Sequence, residues 1–438
     1  MAGVAITGLG VISPHGQDLD TLMAAVLRGE SAIRPVFPEL AKPAAAATIA
    51  FDPSPWLSKL QLVGLDRVSQ MAVAAASLAV QDAGGLGDVA PERIGVYGGC
   101  GMGGAVALEN AYRGGMGGNG RVPPLTIPAF MPSAPASHVA MRHGAKGPVL
   151  TYSMACASGA AALAEAAKAV ALGEVDVAIA GGAEALIVPG VVLAWQAMMT
   201  LAAFDAGEAA RCVRPFAQAR SGFALGEGAA FVVLESAERA AARGARSHAR
   251  LAGWGHSCDA THLTKPDAEG QARALRAALR QAGLQPADIG YCNAHGTATR
   301  AGDVVEWQAL QQVWGDALPG LKVSSTKALH GHLLGAAGAL EAVITIGALV
   351  RGQLPPNVNG PVAGDNAGAS AQPGTDRATA AAGEPAGGED LSRLSPNDPD
   401  CPLNLVQLGD QAAPDVRAAV SSSFAFGGSN VALVFERA

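Results

Sequence analysis

The strongest constraint on this chain is that it repeats its own plan. Residues 68–101, VSQMAVAAASLAVQDAGGLGDVAPERIGVYGGCG, and residues 271–297, QARALRAALRQAGLQPADIGYCNAHGT, run in one order. Each gives an Ala-rich helix, a stop at QDAG or RQAG, a loop containing proline, and a short apolar strand. Glycine just past a helix and proline beyond it are helix-end signals. The parallel continues downstream. PVLTYSMACASGAAALAEAA (148–167) and LKVSSTKALHGHLLGAAGALEAV (321–343) both read strand, turn, small-residue helix. VDVAIAGGAEA (175–185) matches RAAVSSSFAFGGSNVALVF (417–435) as a β-rich run reaching Gly-Gly. Strands alternating with helices predict two similar α/β halves, 1–250 and 251–438, built on largely parallel sheets covered by helices. Residues 361–400 break the plan: they are rich in Ala, Gly, Pro, Ser and Asp, with almost no large apolar residues and no period. They read as an exposed, mobile insertion in the second half.

Composition fits buried, closely packed helices. Hydrophobic residues make up 50% of the chain, aromatics only 4%, and there are 56 glycines. A net charge of −7 with no Lys/Arg cluster argues against a nucleic-acid-binding face. The absence of an uncharged apolar run of membrane-spanning length argues against a transmembrane helix. The N-terminal MAGVAITGLGVISP lacks the basic segment of a signal peptide and reads as a strand and turn. A cytoplasmic protein is the expectation. The six cysteines include no C-x-x-C pair, so they are expected reduced and outside a zinc knuckle.

Open α/β sheets place ligand sites at strand C-terminal ends. The repeat puts Cys156 and His332 at corresponding strand–helix turns and His295 at the end of the preceding strand of the second half. Cys156 opens a helix, where orphan N–H groups and the helix dipole favour a thiolate and would also hold an oxyanion. A buried structural cysteine is the alternative. His295, in NAHGTATRAGD, is placed to exchange a proton, or is an ordinary loop histidine. Asp303 would orient a neighbour or cap the following helix. Lys327 would set fixed charge near His330 and His332. Those two histidines have the wrong spacing for a metal pair and no nearby carboxylate or thiol in sequence, so no metal is expected. The turn SSSFAFGGSN offers the Phe426 N–H as a second oxyanion donor. The runs GGCGMGG and GGMGGNG lack the spacing of a nucleotide loop.

Taken together, ACASGA, NAHGTAT, GEGAAFVVLE, STKALHGHLLGAAGALE and SFAFGGSN, in their order along the chain, resemble the elongating β-ketoacyl-acyl carrier protein synthases. The resemblance covers nearly the whole chain except 361–400. It implies the thiolase fold, two βαβαβ-type halves in a five-layered αβαβα arrangement. It implies decarboxylative condensation of an acyl thioester with malonyl-acyl carrier protein, releasing CO2, in fatty acid or polyketide synthesis, with no cofactor. By motif it implies the catalytic set Cys156, His295, His332 and Lys327, an oxyanion hole from Cys156 and Phe426, and support from Glu341, Asp303, Thr297 and Thr299. Met102 matches an acyl-pocket position. Arg67, Arg211, Arg214 and Arg220 are candidates for a basic patch that meets an acidic carrier protein. A homodimer, or a heterodimer with a synthase-like partner, is implied. Ala157, Ala217, Ser221 and Ala425 depart from the usual residues and point to a specialised pathway. Two rivals share the architecture. A degradative thiolase would need a second cysteine in the C-terminal Gly-rich turn, which SSSFAFGGSN lacks. A chain-length-factor-like scaffold would lack the nucleophile.

Overall fold

The computed structural model describes residues 4–118, 120–204, 207–358 and 397–438. Ten strands and six helices carry the repeat. The first half contributes β1 (Val4–Ile12), β2 (Ile94–Gly99), β3 (Val149–Tyr152), β4 (Val177–Glu184) and β5 (Gly228–Ser236). The second contributes β6 (Ala249–Cys258), β7 (Tyr291–Asn293), β8 (Lys322–Ser324), β9 (Ala418–Phe424) and β10 (Ser429–Arg437). The helices are α1 (Arg67–Asp82), α2 (Ala134–His143) and α3 (Ser158–Ala171), then α4 (Ala268–Ala282), α5 (Arg300–Trp314) and α6 (Ala337–Arg351).

Strand order shows the duplication directly: β3-β2-β4-β5-β1 continues into β6-β10-β9-β7-β8. The two sets join where Val4–Ile6 of β1 pairs antiparallel with Ala249–Leu251 of β6. Within each set three strands are parallel and the two nearest the join are antiparallel. This corrects the expectation of largely parallel sheets. The stretch 417–435 is two strands rather than one run. Only the short turn Ala425–Gly428 separates β9 from β10, and so short a link makes an antiparallel neighbour.

The layers form because each helix has a reason to stay close to its sheet. Helix α1 packs on β1 and β5, and α4 packs on β6 and β10. A Cβ on Gly10 of β1 would sit 2.1 Å from the Ala75 carbonyl oxygen; one on Gly255 of β6 would sit 2.1 Å from that of Ala274. The same close approach is thus built twice, and it requires glycine. Helices α3 and α6 form the central layer, with α6 buried from Ala337 to Leu349. They too approach reciprocally. A Cβ on Gly159 would lie 3.0 Å from Ala339 Cβ, and one on Gly338 would lie 2.8 Å from Ala160 Cβ. The result is the five-layered αβαβα thiolase fold.

The segment Leu334–Arg351 is long and apolar enough by length and composition to span a bilayer, but 89% of it is buried inside the protein. It carries Glu341 and serves as the core of the central layer. Of the predicted insertion 361–400, all but the last four residues lie outside the described residues. Of those four, Asn397, Pro399 and Asp400 are exposed as expected, and Asp398 is buried. Asp398 is 8% exposed, donates its N–H to the Phe216 carbonyl (2.9 Å), and pairs with Arg220.

Candidate active site

The site is assembled from matching elbows in the two halves. Cys156 lies in a single 3-10 turn, Ala155–Ala157, before α3; the counterpart Leu334–Ala336 precedes α6. Ala155 has φ +45° and Leu334 φ +43°, left-handed values that cost a side-chain-bearing residue of order 1–3 kcal/mol. The sharp turn presents the buried Cys156 thiol to a cavity at a helix start. His332 stands just before the second elbow. Its Nε2 is 3.0 Å from Cys156 Sγ, and the Leu334 N–H donates to its Nδ1 (3.3 Å). That bond leaves the ring proton on Nε2, directed at the sulfur. The His332 backbone is fixed as well: its N–H donates to Ala224 O (2.7 Å) and its carbonyl accepts from Gly226 N (2.9 Å).

His295 follows the end of β7. Ligand atoms of Cys156, His295 and His332 all lie within 4.8 Å of one another, and the imidazole rings meet edge to face at 5.5 Å. His295 is held through its backbone, which leaves the ring free. Its N–H donates to Glu306 Oε1 and the next N–H, of Gly296, to Glu306 Oε2, both at 2.7 Å. Its carbonyl accepts from Lys327 Nζ at 2.7 Å. The ring Nδ1 is buried without a partner among the described residues. Lys327 is fully buried and pairs with Glu341, which is also fully buried. Burial pushes the Glu341 carboxyl up to about 7 against the pull of Lys327.

The electrostatics reverse one expectation. A helix start was expected to lower the thiol pKa, yet burial pushes Cys156 up to about 12, with Lys327 opposing. Burial, reinforced by Lys327, holds His295 and His332 well below the usual histidine range. The resting site is therefore a neutral thiol beside two neutral imidazoles. Among the described residues these three form the one group close enough to ligate an ion. A dication would need the thiolate and would stand near the Lys327 ammonium, and both features oppose it. His330 is no ligand: its Nδ1 donates to Gly331 O (2.7 Å), its Nε2 accepts from Thr326 Oγ1 (2.9 Å), and burial lowers it to about 3.

Cys156, His295 and His332 line a cavity of about 240 Å³, together with Thr297, Thr299 and Phe426. Phe426 opens the 3-10 turn Phe426–Gly428, so its N–H has no partner within that turn. Thr299 caps α5 by accepting from Gly302 N, so Asp303 is not the cap. Asp303 instead accepts the Phe216 N–H at 2.8 Å, and burial raises it to about 7. Met102 lies outside this cavity, on a separate apolar groove.

The arginines divide. Arg220 is 4% exposed, with its guanidinium spent on Asp398 and the carbonyls of Ala217, Thr299 and Arg300, so it is no surface docking residue. Arg67 forms a two-pronged pair with Glu227 and donates to Ile49 O, a structural clasp rather than a free cation. Arg211 and Arg214 are partly exposed, and Arg214 donates to Arg211 O at 2.9 Å. Two carboxylates escaped the sequence reading. Glu306 holds the His295–Gly296 backbone. Glu184, fully buried and raised by burial to about 7, accepts the N–H groups of Gly101 (2.8 Å), Met102 (3.1 Å) and Gly335 (2.9 Å), tying the first half to the second elbow. The only local signal for Glu306 was its place one turn after Asp303 on the same helix.

A cysteine at one elbow, a histidine beside the facing elbow and a second past a strand end, in a duplicated αβαβα fold, form the site of a condensing enzyme. Residues 1–240 match the family model "Beta-ketoacyl synthase, N-terminal domain" and residues 248–360 match "Beta-ketoacyl synthase, C-terminal domain". Nodulation protein E of Rhizobium meliloti is 38% identical over 438 residues, covering 99% of each chain. The 3-oxoacyl-[acyl-carrier-protein] synthase 2 of Staphylococcus aureus (strain N315) is 36% identical over 442 residues, covering 99% of this chain and 98% of that one. Among solved structures, the ishigamide ketosynthase/chain length factor superposes with a TM-score of 0.83 at 32% identity, covering 100% of this chain and 99% of that one. A type II polyketide synthase ketosynthase complex with its acyl-carrier protein, bound to the hexaketide, superposes with a TM-score of 0.84 at 25% identity and full coverage of both chains. The chain belongs to the β-ketoacyl synthase family, and it is a condensing enzyme.

Proposed function

We propose that this chain loads an acyl group from an acyl carrier protein onto Cys156 and extends it with malonyl carried by a second carrier. The sulfur attacks the thioester carbonyl. The carrier thiol departs with the proton that Cys156 gives up. The N–H groups of Cys156 and Phe426 receive the oxyanion. When malonyl follows, its carboxylate C–C bond breaks and CO2 leaves. The electron pair becomes an enolate whose oxygen accepts hydrogen bonds from His295 and His332. The enolate carbon attacks the acyl-Cys carbonyl, a C–C bond forms, the C–S bond breaks, and the departing Cys156 sulfur takes up a proton from water. Neutral imidazoles suit this role, since a donor that keeps its proton stabilises the enolate without quenching the carbanion.

The observation that carries the reading is the 3.0 Å contact between Cys156 Sγ and the protonated Nε2 of His332, with the unpartnered His295 ring beside it. Lys327, held by Glu341, orders His295 through its backbone carbonyl. Thr297 and Thr299 line its wall. Arg211 and Arg214 remain the candidates for carrier docking. We place the protein in the cytoplasm and read it as halves 1–250 and 251–438. It would assemble as a dimer through β3, an edge strand exposing Val149 and Leu150, with itself or with a synthase-like subunit. The relatives include a nodulation protein, 3-oxoacyl-[acyl-carrier-protein] synthases and a type II polyketide synthase ketosynthase. With Ala157, Ala217, Ser221 and Ala425 this favours a specialised acyl chain. A scaffold role fits poorly, because a scaffold has no use for the thiol.

The test is intact-protein mass after mixing with acyl-carrier thioesters, followed by malonyl-carrier addition and product analysis. A gain of one acyl group that vanishes in Cys156→Ala supports the reading. Full condensation by Cys156→Ala would overturn it.

A further inference from the structure

Two apolar spaces open on either side of one side chain. The first is the cavity at Cys156, about 240 Å³. The second is a groove of about 360 Å³ lined by Met102, Leu108, Phe130, Val188 and Val191. Its one charged lining residue among those described, Glu109, is already paired with Arg113 at 2.8 Å. Among the described residues, Trp195 is the only one that lines both spaces. It projects from the helix Pro189–Ala197 and is wedged in place by rings. Phe426 stacks on it at 6.1 Å, and Phe223 meets it edge to face at 5.5 Å. Phe223 in turn meets the His332 ring at 5.1 Å. The partition between the two spaces is thus an indole fixed to the oxyanion turn on one side and to the catalytic histidine's neighbour on the other.

Ligand pockets usually enclose about 300–1,000 Å³, and the Cys156 cavity falls short of that. It must also admit the arm that delivers the thioester. Little room is left for a long acyl chain while the indole stays where it is. We propose that Trp195 is a specificity-determining residue that sets the longest acyl group Cys156 accepts. Short acyl groups load with the indole in place. Longer apolar chains gain the groove beyond it only when the indole is gone. This deepens the acyl-enzyme reading of Cys156 and rests on it.

The experiment loads wild type, Trp195→Ala and Trp195→Phe with carrier-bound saturated acyl groups of increasing length. Intact-protein mass is read as the ratio of each length to the shortest within each protein. Wild type should fall off sharply at one length. At that length Trp195→Ala should gain at least about tenfold, the scale on which an apolar pocket discriminates a methylene. Trp195→Phe, which keeps a ring against Phe426, should shift the fall-off less and keeps the test valid if the alanine variant folds poorly. Superimposable profiles, or a wild type that takes long and short chains alike, would overturn the role of Trp195. Absence of loading by every protein with every donor would overturn the acyl-enzyme reading itself, and the Trp195 proposal with it.

Discussion

The ionisation of Cys156 is where two physical effects oppose each other, and their sizes differ enough to decide. A helix start favours an anion by about 0.3–1 kcal/mol, up to about 2 in a partly buried site. Burial raises the thiol from 9.0 to about 12, which disfavours the thiolate by roughly 4 kcal/mol. Desolvation wins. At pH 7 the thiolate fraction is then on the order of one in 10⁵. Alkylation of Cys156 by iodoacetamide should therefore climb about tenfold per pH unit from pH 7 through pH 9, without levelling. The assay is peptide-level mass spectrometry of a time course at each pH. Cys258, the exposed thiol, serves as an internal control for reagent activity. Access to the cavity is the same at each pH, so it cancels from the slope. A rate that levels off below pH 9 would refute the argument. It would mean that the helix start and Lys327 outweigh burial and that the resting nucleophile is a thiolate.

The remaining predictions concern what holds the trio. Lys327→Met leaves Glu341 buried and unpaired, which should cost about 3–5 kcal/mol in chemical denaturation; a loss below about 1 kcal/mol would show the pair to be dispensable. Glu306→Gln keeps one acceptor for the His295 and Gly296 N–H groups and loses the other, so a cost of about 1–3 kcal/mol is expected. The same variant should slow malonyl decarboxylation more than acyl loading, because it displaces His295 rather than Cys156; equal effects on both steps would contradict this. Gly335→Ala puts a Cβ 2.3 Å from Gly101 N and 2.5 Å from Glu184 Oε2, and thermal unfolding should register a loss of about 1–3 kcal/mol or failure to fold.

Much of this was legible because it is written locally. The order of helix, stop, proline and strand announced the duplication, and strand ends announced where chemistry would gather. Cys156, His295 and His332 stood out as candidates by type and position, and the family resemblance supplied the roles expected of them. What escaped depends on distant partners. Glu184 and Glu306 act on backbone N–H groups, and a sequence does not show which N–H groups a buried carboxylate will meet. Arg67 and Arg220 looked like solvated cations because nothing near them names Glu227 or Asp398 as partner. The direction of the Cys156 shift was misjudged for the same reason: the helix start is local, whereas desolvation is set by every layer packed over it. The antiparallel strands were missed because a four-residue turn, Ala425–Gly428, inside one β-rich run decides their direction.

The duplication also explains why one fold yields an asymmetric site. Aligning the elbows sets Cys156 of MACASGA against Gly335 of LLGAAGA, and aligning the preceding strands sets Cys100 of VYGGCG against His295 of YCNAHG. The backbone is nearly the same at both elbows, including the left-handed residue before the pivot. The chemistry is not. In the first half the pivot bears the thiol. In the second it bears no side chain, and that empty space lets the Gly101 backbone and Glu184 press against Gly335. The neighbouring Leu334 N–H is thereby fixed where it meets His332 Nδ1. One elbow presents the thiol, and the other sets the tautomer of the histidine that faces it. Two strained turns are retained because each performs a different half of the same task, and the αβαβα layering brings them into contact through Gly159 and Gly338.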